Sequence, residues 1–510
     1  MKKEPGQTVS PWMSQDIPPW PGMSTGAHAD VCVVGAGIAG VTTAYCLMKE
    51  GRSVILLDDS QPGRGMTERT TAHLSNAIDA GYTEIERLHG LQGARLAATS
   101  HTAAIDWIEK TAHEAGIDCD FLRLDGYLCA ASADDAQRIK DEWAAALRAG
   151  LADVEPVDRL PGPLTQNGPC LRFPRQAQFH PMKYLAGLVK AIRQGGCRAF
   201  SGSHVTQVES GKQIRIETSQ GYVVTADAVV VATNTPINNM VTIHTKQAAY
   251  LTYVISATIP AGAVEQALWW DTQDPYHYVR TQRRTLPGGG EEILLIVGGE
   301  DHKAGQADDA EFRYGRLEAW ARARFPGMGG VTHRWSGQVM ESVDGLAFIG
   351  RNPGDEHIYI ATGDCGMGMT HGTIAGLLLT DLIMGRESPW SSLYNPSRQP
   401  VKAMGEFVRE NLNVVAQYTD WVTKGEVERA EDIPNGEGAV LRDGLTKIAA
   451  YRDADGVLHT CSAVCPHLNC IVSWNHSEHT WDCPCHGSRF DKFGQVLNGP
   501  AISDLARIKS

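Results

Sequence analysis

The sequence lacks three features that would point to a membrane or to nucleic acid. No run of about 18 apolar residues is present that could cross a bilayer as a helix. The N-terminal segment MKKEPGQTVSPWMSQDIPPWPG has two lysines but no apolar stretch, so no secretory signal is predicted. The formal net charge is −13, which argues against nucleic acid or an anionic membrane as a partner. We therefore expect a cytoplasmic protein without nucleic-acid or membrane partners.

Internal repeats are also lacking, which argues against a solenoid. With 510 residues and 42% hydrophobic content, the chain is long enough for more than one domain. Cysteine, in contrast, is abundant. Seven of the twelve cysteines are scattered and are interpreted as small buried hydrophobes, but five crowd together with histidines in residues 461–485. Such clustering predicts a metal site.

A glycine-rich turn near the N-terminus predicts a nucleotide site. The stretch DVCVVGAGIAG is a short apolar strand that runs into Gly35, Gly37 and Gly40, and a helix and a second strand follow. In such a β-α-β unit the first glycine permits the tight turn, the second lets a pyrophosphate approach, and the third lets helix and strand pack closely. Asp58 ends the second strand, where a carboxylate can bind ribose hydroxyls, and Asp59 follows it. The unit predicts a dinucleotide in a doubly wound sheet.

Two later segments and one loop indicate which dinucleotide to expect. Residues 226–235 read as a buried strand and a small-residue turn, and residues 357–383 read as a strand, a glycine-rich turn and a helix. With the loop MTERTTAHLS (66–75), they resemble the flavoprotein family of D-amino-acid oxidase, glycine oxidase and sarcosine oxidase over residues 29–385. The resemblance implies an FAD cofactor. The residues it implies for FAD binding are Gly35, Gly37, Gly40, Asp58, Asp59, Arg69, Thr70, Thr71, Ala72, Thr233, Gly363, Gly366, Gly368, Met369 and Thr370.

That family passes a hydride from a carbon–nitrogen bond to the flavin, so an amine or amino-acid substrate is implied. The candidate catalytic residues are His277, Tyr278, Arg280, Trp335 and Gln338. Each could instead be a packed core residue, above all the two aromatics. Amino-acid oxidases of the family commonly carry an arginine after a W-x-G turn to clamp the substrate carboxylate, but here the turn continues as QVM. An amine or polyamine-like substrate is therefore favoured, with Arg280 as an alternative clamp.

Two turns near the C-terminus, CPHLNC and CPCHGS, contain six candidate metal ligands. A zinc site would usually pair like with like, as two cysteines and two histidines. Taking one thiolate and one imidazole from each turn gives Cys465, His467, Cys483 and His486. Mixed pairs of this kind suit a [2Fe–2S] centre in which two cysteines hold one iron and two histidines the other. Over residues 424–510 the chain resembles the Rieske fold.

The Rieske resemblance also implies roles for neighbouring residues. Cys470 and Cys485 match cysteines that form a disulfide between the two cluster loops in Rieske proteins of cytochrome complexes. Ser488 matches a serine that donates a hydrogen bond to a bridging sulfide. Phe490 replaces a tyrosine common in high-potential members, and fewer donors lower the reduction potential. Cys461 is left over as a packed thiol.

The two resemblances together imply the architecture. We expect an α/β Rossmann-like FAD-binding domain with an α+β substrate domain formed by insertions, followed by a small all-β Rieske domain. The predicted limits are an N-terminal arm (1–28), an oxidoreductase (29–385), a linker rich in Ser, Pro and Asn (386–423) and a Rieske domain (424–510). The FAD-binding parts are about 29–94, 191–239 and 331–385, and the substrate-binding parts about 95–190 and 240–330.

A flavin collects two electrons as a hydride, whereas a Rieske cluster carries one. Their fusion predicts an amine or amino-acid dehydrogenase or oxidase whose cluster passes electrons singly to an external acceptor protein. Two alternatives stay open at this point. The cluster could feed electrons to the flavin for a reductive or oxygen-dependent reaction, or the chain could be a non-catalytic redox carrier or sensor. The substrate, the acceptor, covalent attachment of FAD and the oligomeric state are not specified by the sequence.

Overall fold

The computed structural model describes residues 6–157, 168–238, 242–286 and 288–508, and the other parts of the predicted domains lie outside the described residues. The strands over these residues are β1 (Ala27–Val34), β2 (Val54–Leu57), β3 (His73–Leu74), β4 (Leu122–Cys129), β5 (Glu155–Val157), β6 (Cys170–Gln178), β7 (Arg198–Phe200), β8 (Val205–Glu209), β9 (Ile214–Thr218), β10 (Val223–Val231), β11 (Gln247–Ile259), β12 (Leu268–Asp271), β13 (His277–Thr285), β14 (Glu291–Lys303), β15 (Val331–Ser342), β16 (Phe348–Arg351), β17 (Ile358–Thr362), β18 (Gly438–Asp443), β19 (Thr446–Arg452), β20 (Leu458–Ser462), β21 (Ser473–Asn475), β22 (Thr480–Asp482), β23 (Arg489–Asp491) and β24 (Val496–Asn498). The α-helices are α1 (Ile38–Lys49), α2 (Tyr82–Glu114), α3 (Ala136–Arg148), α4 (Pro181–Gln194), α5 (Ala310–Arg324), α6 (Gly368–Ile383), α7 (Ser391–Tyr394) and α8 (Met404–Gln417). None of the helices described is long and apolar enough to cross a bilayer.

A largely parallel sheet forms the first layer, in the order β16-β17-β10-β1-β2-β7, with the β8–β9 hairpin attached to β10. β1 pairs in parallel with both β2 and β10, and Val31 to Val34 are buried, as expected for a central strand covered on both faces. Helices α1 and α6 pack together on this sheet. A Cβ on Gly376 of α6 would lie 2.5 Å from Cγ2 of Thr42, so glycine allows the close helix contact. The predicted Rossmann-like sheet is confirmed, but among the described residues it is not doubly wound. Helices α1, α4 and α6 cover one face, whereas buried residues of β8 and β9 pack on the other face.

The second sheet has the order β15-β11-β14-β13-β12-β4-β6-β3, and β5 pairs with β6. Its pairs are antiparallel except for β4 with β12. Helix α5 lies against β11 and β14 and buries Tyr314, Leu317 and Ala321. The strands come from two separate stretches of the chain, β3 to β6 and β11 to β15, as expected for an α+β domain formed by insertions. β3 and β15 lie outside the predicted limits of 95–190 and 240–330.

The last part of the chain is all β, as predicted. Strands β18, β19 and β20 form one antiparallel sheet, and β21 to β24 form another. Trp474, Trp481 and Phe490 fill the core of this part. The loop between β20 and β21 and the loop between β22 and β23 carry the two cysteine-histidine turns.

Residues 386–423, predicted as a linker, contain the helices α7 and α8. Lys303 Nζ lies 2.6 Å from Glu410 Oε2, which ties α8 to the second sheet. On its other side Val414 of α8 packs against the core of the all-β part. Helix α8 therefore contacts both the second sheet and the all-β part.

A buried ion pair lies at the contact between the all-β part and the rest of the molecule. Arg69 Nη1 lies 3.1 Å from Glu478 Oε1, and both side chains are almost completely buried. Glu478 also accepts hydrogen bonds from the backbone N–H of Thr8, at 3.1 Å, and from the Ser336 hydroxyl, at 2.5 Å. Removing one partner of such a pair leaves an uncompensated charge, at a cost of about 3–5 kcal/mol. The N-terminal arm, the loop after β2 and the all-β part are thus held at one point.

Candidate active site and metal centre

The glycine turn after β1 is shaped for a close approach. Gly35 has a φ of 103°, and a Cβ there would lie 2.4 Å from the carbonyl oxygen of Ala232. A Cβ on Gly40 would lie 1.8 Å from the carbonyl oxygen of Gly35. Gly37 is the N-cap of α1, so the positive end of this helix opens next to the turn. This arrangement suits a pyrophosphate group.

Asp58 lies at the end of β2, beside the same turn. Its Oδ2 accepts the backbone N–H of Ala36 at 2.6 Å, and its Oδ1 accepts the N–H of Ser60 at 2.7 Å. Burial, together with the neighbouring Asp59, raises the pKa of Asp58 to about 7. The carboxylate is therefore fixed in position, with oxygen lone pairs available for ribose hydroxyls.

A continuous cavity lies between the carboxyl ends of β1, β2, β10 and β17 and the facing strands of the second sheet. Most of the residues predicted to bind FAD line it. These are Gly35, Gly37, Asp58, Asp59, Arg69, Thr70, Thr71, Thr233, Gly363, Gly366, Gly368 and Met369. Three of the predicted residues lie behind the lining. Gly40 packs α1 on the turn, Ala72 is buried with a φ of 59°, and Thr370 Oγ1 lies 2.9 Å from His101 Nδ1.

The loop after β2 is held by two buried side chains that were predicted as catalytic. Arg280 Nη1 donates to the carbonyl oxygens of Thr71, Ala72 and Phe179 at 2.8–3.1 Å. Burial lowers the pKa of Arg280 to about 9. Trp335 Nε1 donates to the carbonyl of Arg69 at 2.9 Å. The structure therefore places Arg280 and Trp335 behind the cavity wall, where they support the loop, and Arg280 is not positioned to clamp a substrate.

The other predicted catalytic residues on β13 point to opposite faces of the strand. His277 faces away from the cavity. Its Nδ1 lies 3.1 Å from Asp271 Oδ2, and its ring stacks on Trp320 at 4.3 Å. Tyr278 lines the cavity, and its hydroxyl lies 2.8 Å from Oγ1 of Thr252. Since β-strand residues alternate between faces, the structure brings Tyr278 to the cavity but not His277.

One end of the cavity is acidic, a feature that is not among the expectations from the sequence. Asp79 and Asp364 line it, and Tyr276 donates its hydroxyl to Asp79 Oδ2 at 3.3 Å. Asp79 is exposed, because its side chain opens onto the cavity, but the surrounding protein still desolvates it. This desolvation, with the nearby Asp301, raises the pKa of Asp79 to about 7, and desolvation raises that of Asp364 to about 6. Burial, reinforced by Asp79, raises the pKa of Glu341 to about 8. The position of Asp364 inside the glycine-rich turn was the sequence signal that could have been used.

The four predicted cluster ligands are brought together in the all-β part. Cys465 and Cys483 are buried, and the rings of His467 and His486 meet edge to face at 4.9 Å. Nδ1 of His486 is buried without a hydrogen-bond partner among the residues described, and burial lowers the pKa of its ring to about 4. The hydrogen bond from Cys483 lowers the pKa of Cys465, as does the backbone N–H of His467. Neutral imidazoles and thiolates are the forms that bind iron, so this donor set fits a [2Fe–2S] cluster.

The residues around the four candidate ligands also have defined environments. Cys470 and Cys485 form a disulfide between the two loops. Ser488 accepts the N–H of Ala501 through its Oγ at 3.0 Å, and its hydroxyl hydrogen-bonds to Cys465, which helps to lower the pKa of that thiol. Phe490 is fully buried on β23. Cys461 is a buried free thiol, and burial raises its pKa to about 12.

Gln338 connects the cavity with the cluster loop. It lines the cavity, and its Nε2 donates to the carbonyl oxygen of Gly487, between two residues of the second cluster turn, at 2.7 Å. The buried His244, which precedes β11, has its ring 5.0 Å from that of His467 and 6.2 Å from that of His486. The histidine side of the metal centre thus faces the first part of the molecule.

Comparisons with known proteins agree with this geometry. Residues 30–382 match the FAD dependent oxidoreductase family, and residues 423–509 match the Rieske [2Fe-2S] domain. YhfW of Bacillus subtilis (strain 168), named as a Rieske 2Fe-2S iron-sulfur protein, is 32% identical over 97% of this chain and 96% of its own. The gamma-glutamylputrescine oxidoreductase of Escherichia coli (strain K12) is 26% identical over 75% of this chain and 90% of its own. Glycine oxidase from Geobacillus kaustophilus superposes with a TM-score of 0.60 at 16% identity, over 73% of this chain and 99% of its own.

Proposed function

Because the chain belongs to the FAD dependent oxidoreductase family, we propose that it oxidises a cationic amine and passes the electrons through its cluster to an external one-electron acceptor. The chain is an FAD-dependent oxidoreductase that binds FAD in its first part and a [2Fe–2S] cluster in its Rieske domain. The observation that carries the proposal is the Gln338 contact, because one side chain lines the cavity and touches the cluster loop.

The acidic end of the cavity supports an amine rather than an α-amino acid. Asp79 and Asp364 are ready partners for an ammonium group, and would repel a substrate carboxylate. The arginines that line the described cavity are already paired, Arg64 with Glu68 at 2.9 Å and Arg69 with Glu478. The E. coli relative acts by name on gamma-glutamylputrescine, which supports an amine for this chain as well.

The chemistry requires that the substrate ammonium lose a proton before its carbon–nitrogen bond is oxidised. FAD would supply the hydride acceptor for the carbon. The nitrogen would give up two protons on the way to the imine, the first from the ammonium before hydride transfer and the second from the iminium after it. We assign the proton acceptor to Asp79, whose raised pKa of about 7 is matched to proton exchange near neutral pH. Tyr276, which is hydrogen-bonded to Asp79, orients the carboxylate, while Tyr278 and Thr252 form the adjoining wall.

The electron route we propose leaves the cavity at Gln338 and enters the metal centre at the Gly487 peptide, next to His486. The outer side of the centre is covered by the segment that follows α8. Tyr418 donates its hydroxyl to the carbonyl of Leu468 at 2.5 Å, and Trp421 donates to that of Asn469 at 2.9 Å. Tyr418 is 39% exposed, so an acceptor that docks there would be separated from the cluster loop by one side chain.

The proposal is tested by mixing the full-length enzyme anaerobically with mono-, di- and polyamines and, in parallel, with α-amino acids. We expect an amine to bleach the flavin absorbance and then to produce the EPR signal of the reduced cluster. Amino acids at the same concentration should do neither. If no amine bleaches the flavin but a reduced ferredoxin does so through the cluster, electrons flow in the reverse direction and the proposal fails.

A further inference from the structure

The wall of the FAD cavity includes residues of the Rieske domain. Val496, Leu497, Asn498, Gly499 and Ala501 line the same cavity as the predicted nucleotide residues. These residues lie more than 100 positions after the end of the region that matches the oxidoreductase family. The cavity is therefore not complete within the first part of the chain.

The segment 496–502 is fixed to the oxidoreductase part along its length. Asn498 Nδ2 donates to Gln338 Oε1 at 2.8 Å. The carbonyl oxygen of Ile502 lies 2.9 Å from Nε2 of His204, a residue that also lines the cavity. The segment spans the distance between these two points, so it covers one side of the cavity.

The same segment is fixed to the cluster loop. The N–H of Ala501 donates to Ser488 Oγ at 3.0 Å, and Gly487 accepts from Gln338. Gly487 has a φ of 76°, and a Cβ there would lie 2.3 Å from the Cβ of Ala249 on β11. Only glycine allows this close approach of the cluster loop to the second sheet.

The partial exposure of Leu497 is the clearest indication that a ligand contacts the Rieske side of the cavity. The preceding Val496 belongs to the buried core of the Rieske domain, whereas Leu497 belongs to none of the described core clusters and stays partly exposed. It lines the cavity instead. An apolar side chain in that position gains burial when a ligand fills the cavity.

We propose that the Rieske domain completes the FAD-binding site, with Leu497 and Asn498 as FAD-binding residues. The domain then has two roles, since it holds the cluster and also forms one wall around the flavin nucleotide. FAD affinity depends on the docked Rieske domain, and the two cofactor sites are coupled through residues 487–502. The inference concerns FAD binding alone, so it stands whether or not the proposed substrate is correct.

The test is the dissociation constant of FAD in full-length variants. Deflavinated wild-type, Leu497→Ala and Leu497→Ala/Asn498→Ala proteins are titrated with FAD, and binding is followed by flavin fluorescence. Removing the buried part of one leucine should weaken binding about five- to thirtyfold, and the double variant more. Leu445→Ala is the matched control, because Leu445 lies in the same domain, is 86% exposed and does not line the cavity.

Iron content and the EPR signal of the cluster are measured on the same samples. Weaker FAD binding with an unchanged cluster signal supports the proposal, since the Rieske domain is then still folded. A bulky variant, Leu497→Trp, narrows the cavity and should weaken FAD binding further. Wild-type affinity in both Leu497→Ala and Leu497→Trp would overturn the proposal.

Discussion

The two cofactor sites differ in how the chain gathers them. The four residues that we propose as cluster ligands, Cys465, His467, Cys483 and His486, come from two short loops of one small domain. The cavity proposed for FAD is lined by residues from both sheets and from the Rieske domain. A site made of side chains in local loops can be read from residue types and spacing. A site made by tertiary packing needs the fold, and it is sensitive to residues far away in the sequence.

The largest effect should come from the metal centre. Cys483→Ser removes one of four ligands, so we expect complete loss of iron, of acid-labile sulfide and of the cluster EPR signal. Substrate should still bleach the flavin, but turnover with a bulky protein acceptor should stop. Cys461→Ser is the control, because this cysteine is buried in the same domain outside both loops. Wild-type turnover of the protein acceptor by the cluster-free variant would show that the cluster is not the electron outlet.

The next effect should appear at the nucleotide turn. In Gly35→Val the side chain would occupy a position 2.4 Å from the carbonyl oxygen of Ala232, at a φ of 103°. We expect FAD to be lost from the purified protein while iron and the EPR signal remain. Flavin and iron contents measured together check this. Gly315→Val, on exposed α5 with no atom near its Cβ, should keep both cofactors. Loss of both cofactors in Gly35→Val would show that the metal centre depends on the intact nucleotide turn.

A smaller effect is expected at the acidic end of the cavity. Asp79→Asn should lower kcat/KM for an amine about 10- to 100-fold, the range for loss of a charged hydrogen bond. The pKa of Asp79 is raised to about 7, so the carboxylate ionises, and pairs with the ammonium, only as the pH rises through that value. The wild-type kcat/KM should therefore rise between about pH 6 and 8. This rise should be missing in Asp79→Asn and present in the exposed control Asp134→Asn; an unchanged profile in Asp79→Asn would exclude Asp79 as the proton acceptor.

The smallest effect concerns the potential of the cluster. Ser488→Ala removes the hydroxyl that hydrogen-bonds to Cys465, one of the proposed cluster ligands, so the reduced cluster would lose a donor. We expect the reduction potential to fall by about 30–60 mV, since about 1.4 kcal/mol corresponds to 59 mV for one electron. Protein-film voltammetry measures the shift, and Ser462→Ala, outside both loops, serves as the control. An unchanged reduction potential would show that the Ser488 hydroxyl does not stabilise the reduced cluster and serves only to accept the hydrogen bond from Ala501.

The residues show why sequence predicts the two sites unequally. Cysteine and histidine spacing was enough for the cluster loops, and the strand-turn-helix pattern was enough for Gly35 and Asp58. Asp79 could not be found in this way, because its place in the cavity depends on how the two sheets meet. The sequence also does not show which residues of β13 face the cavity. His277 and Tyr278 are adjacent, and only the pairing of the strand decides which of them points into the cavity. Arg280 looked like a substrate clamp, but three backbone carbonyls already occupy its Nη1.

The position of His244 has a consequence for how the protein is matured in the cell. His467 and His486 are 6% and 5% exposed, and the ring of His244 lies against both. A scaffold protein that delivers a preassembled iron-sulfur cluster needs access to both loops, and the docked domain does not offer it. Exchange of the cluster would therefore depend on movement at the contact between His244 and these two histidines.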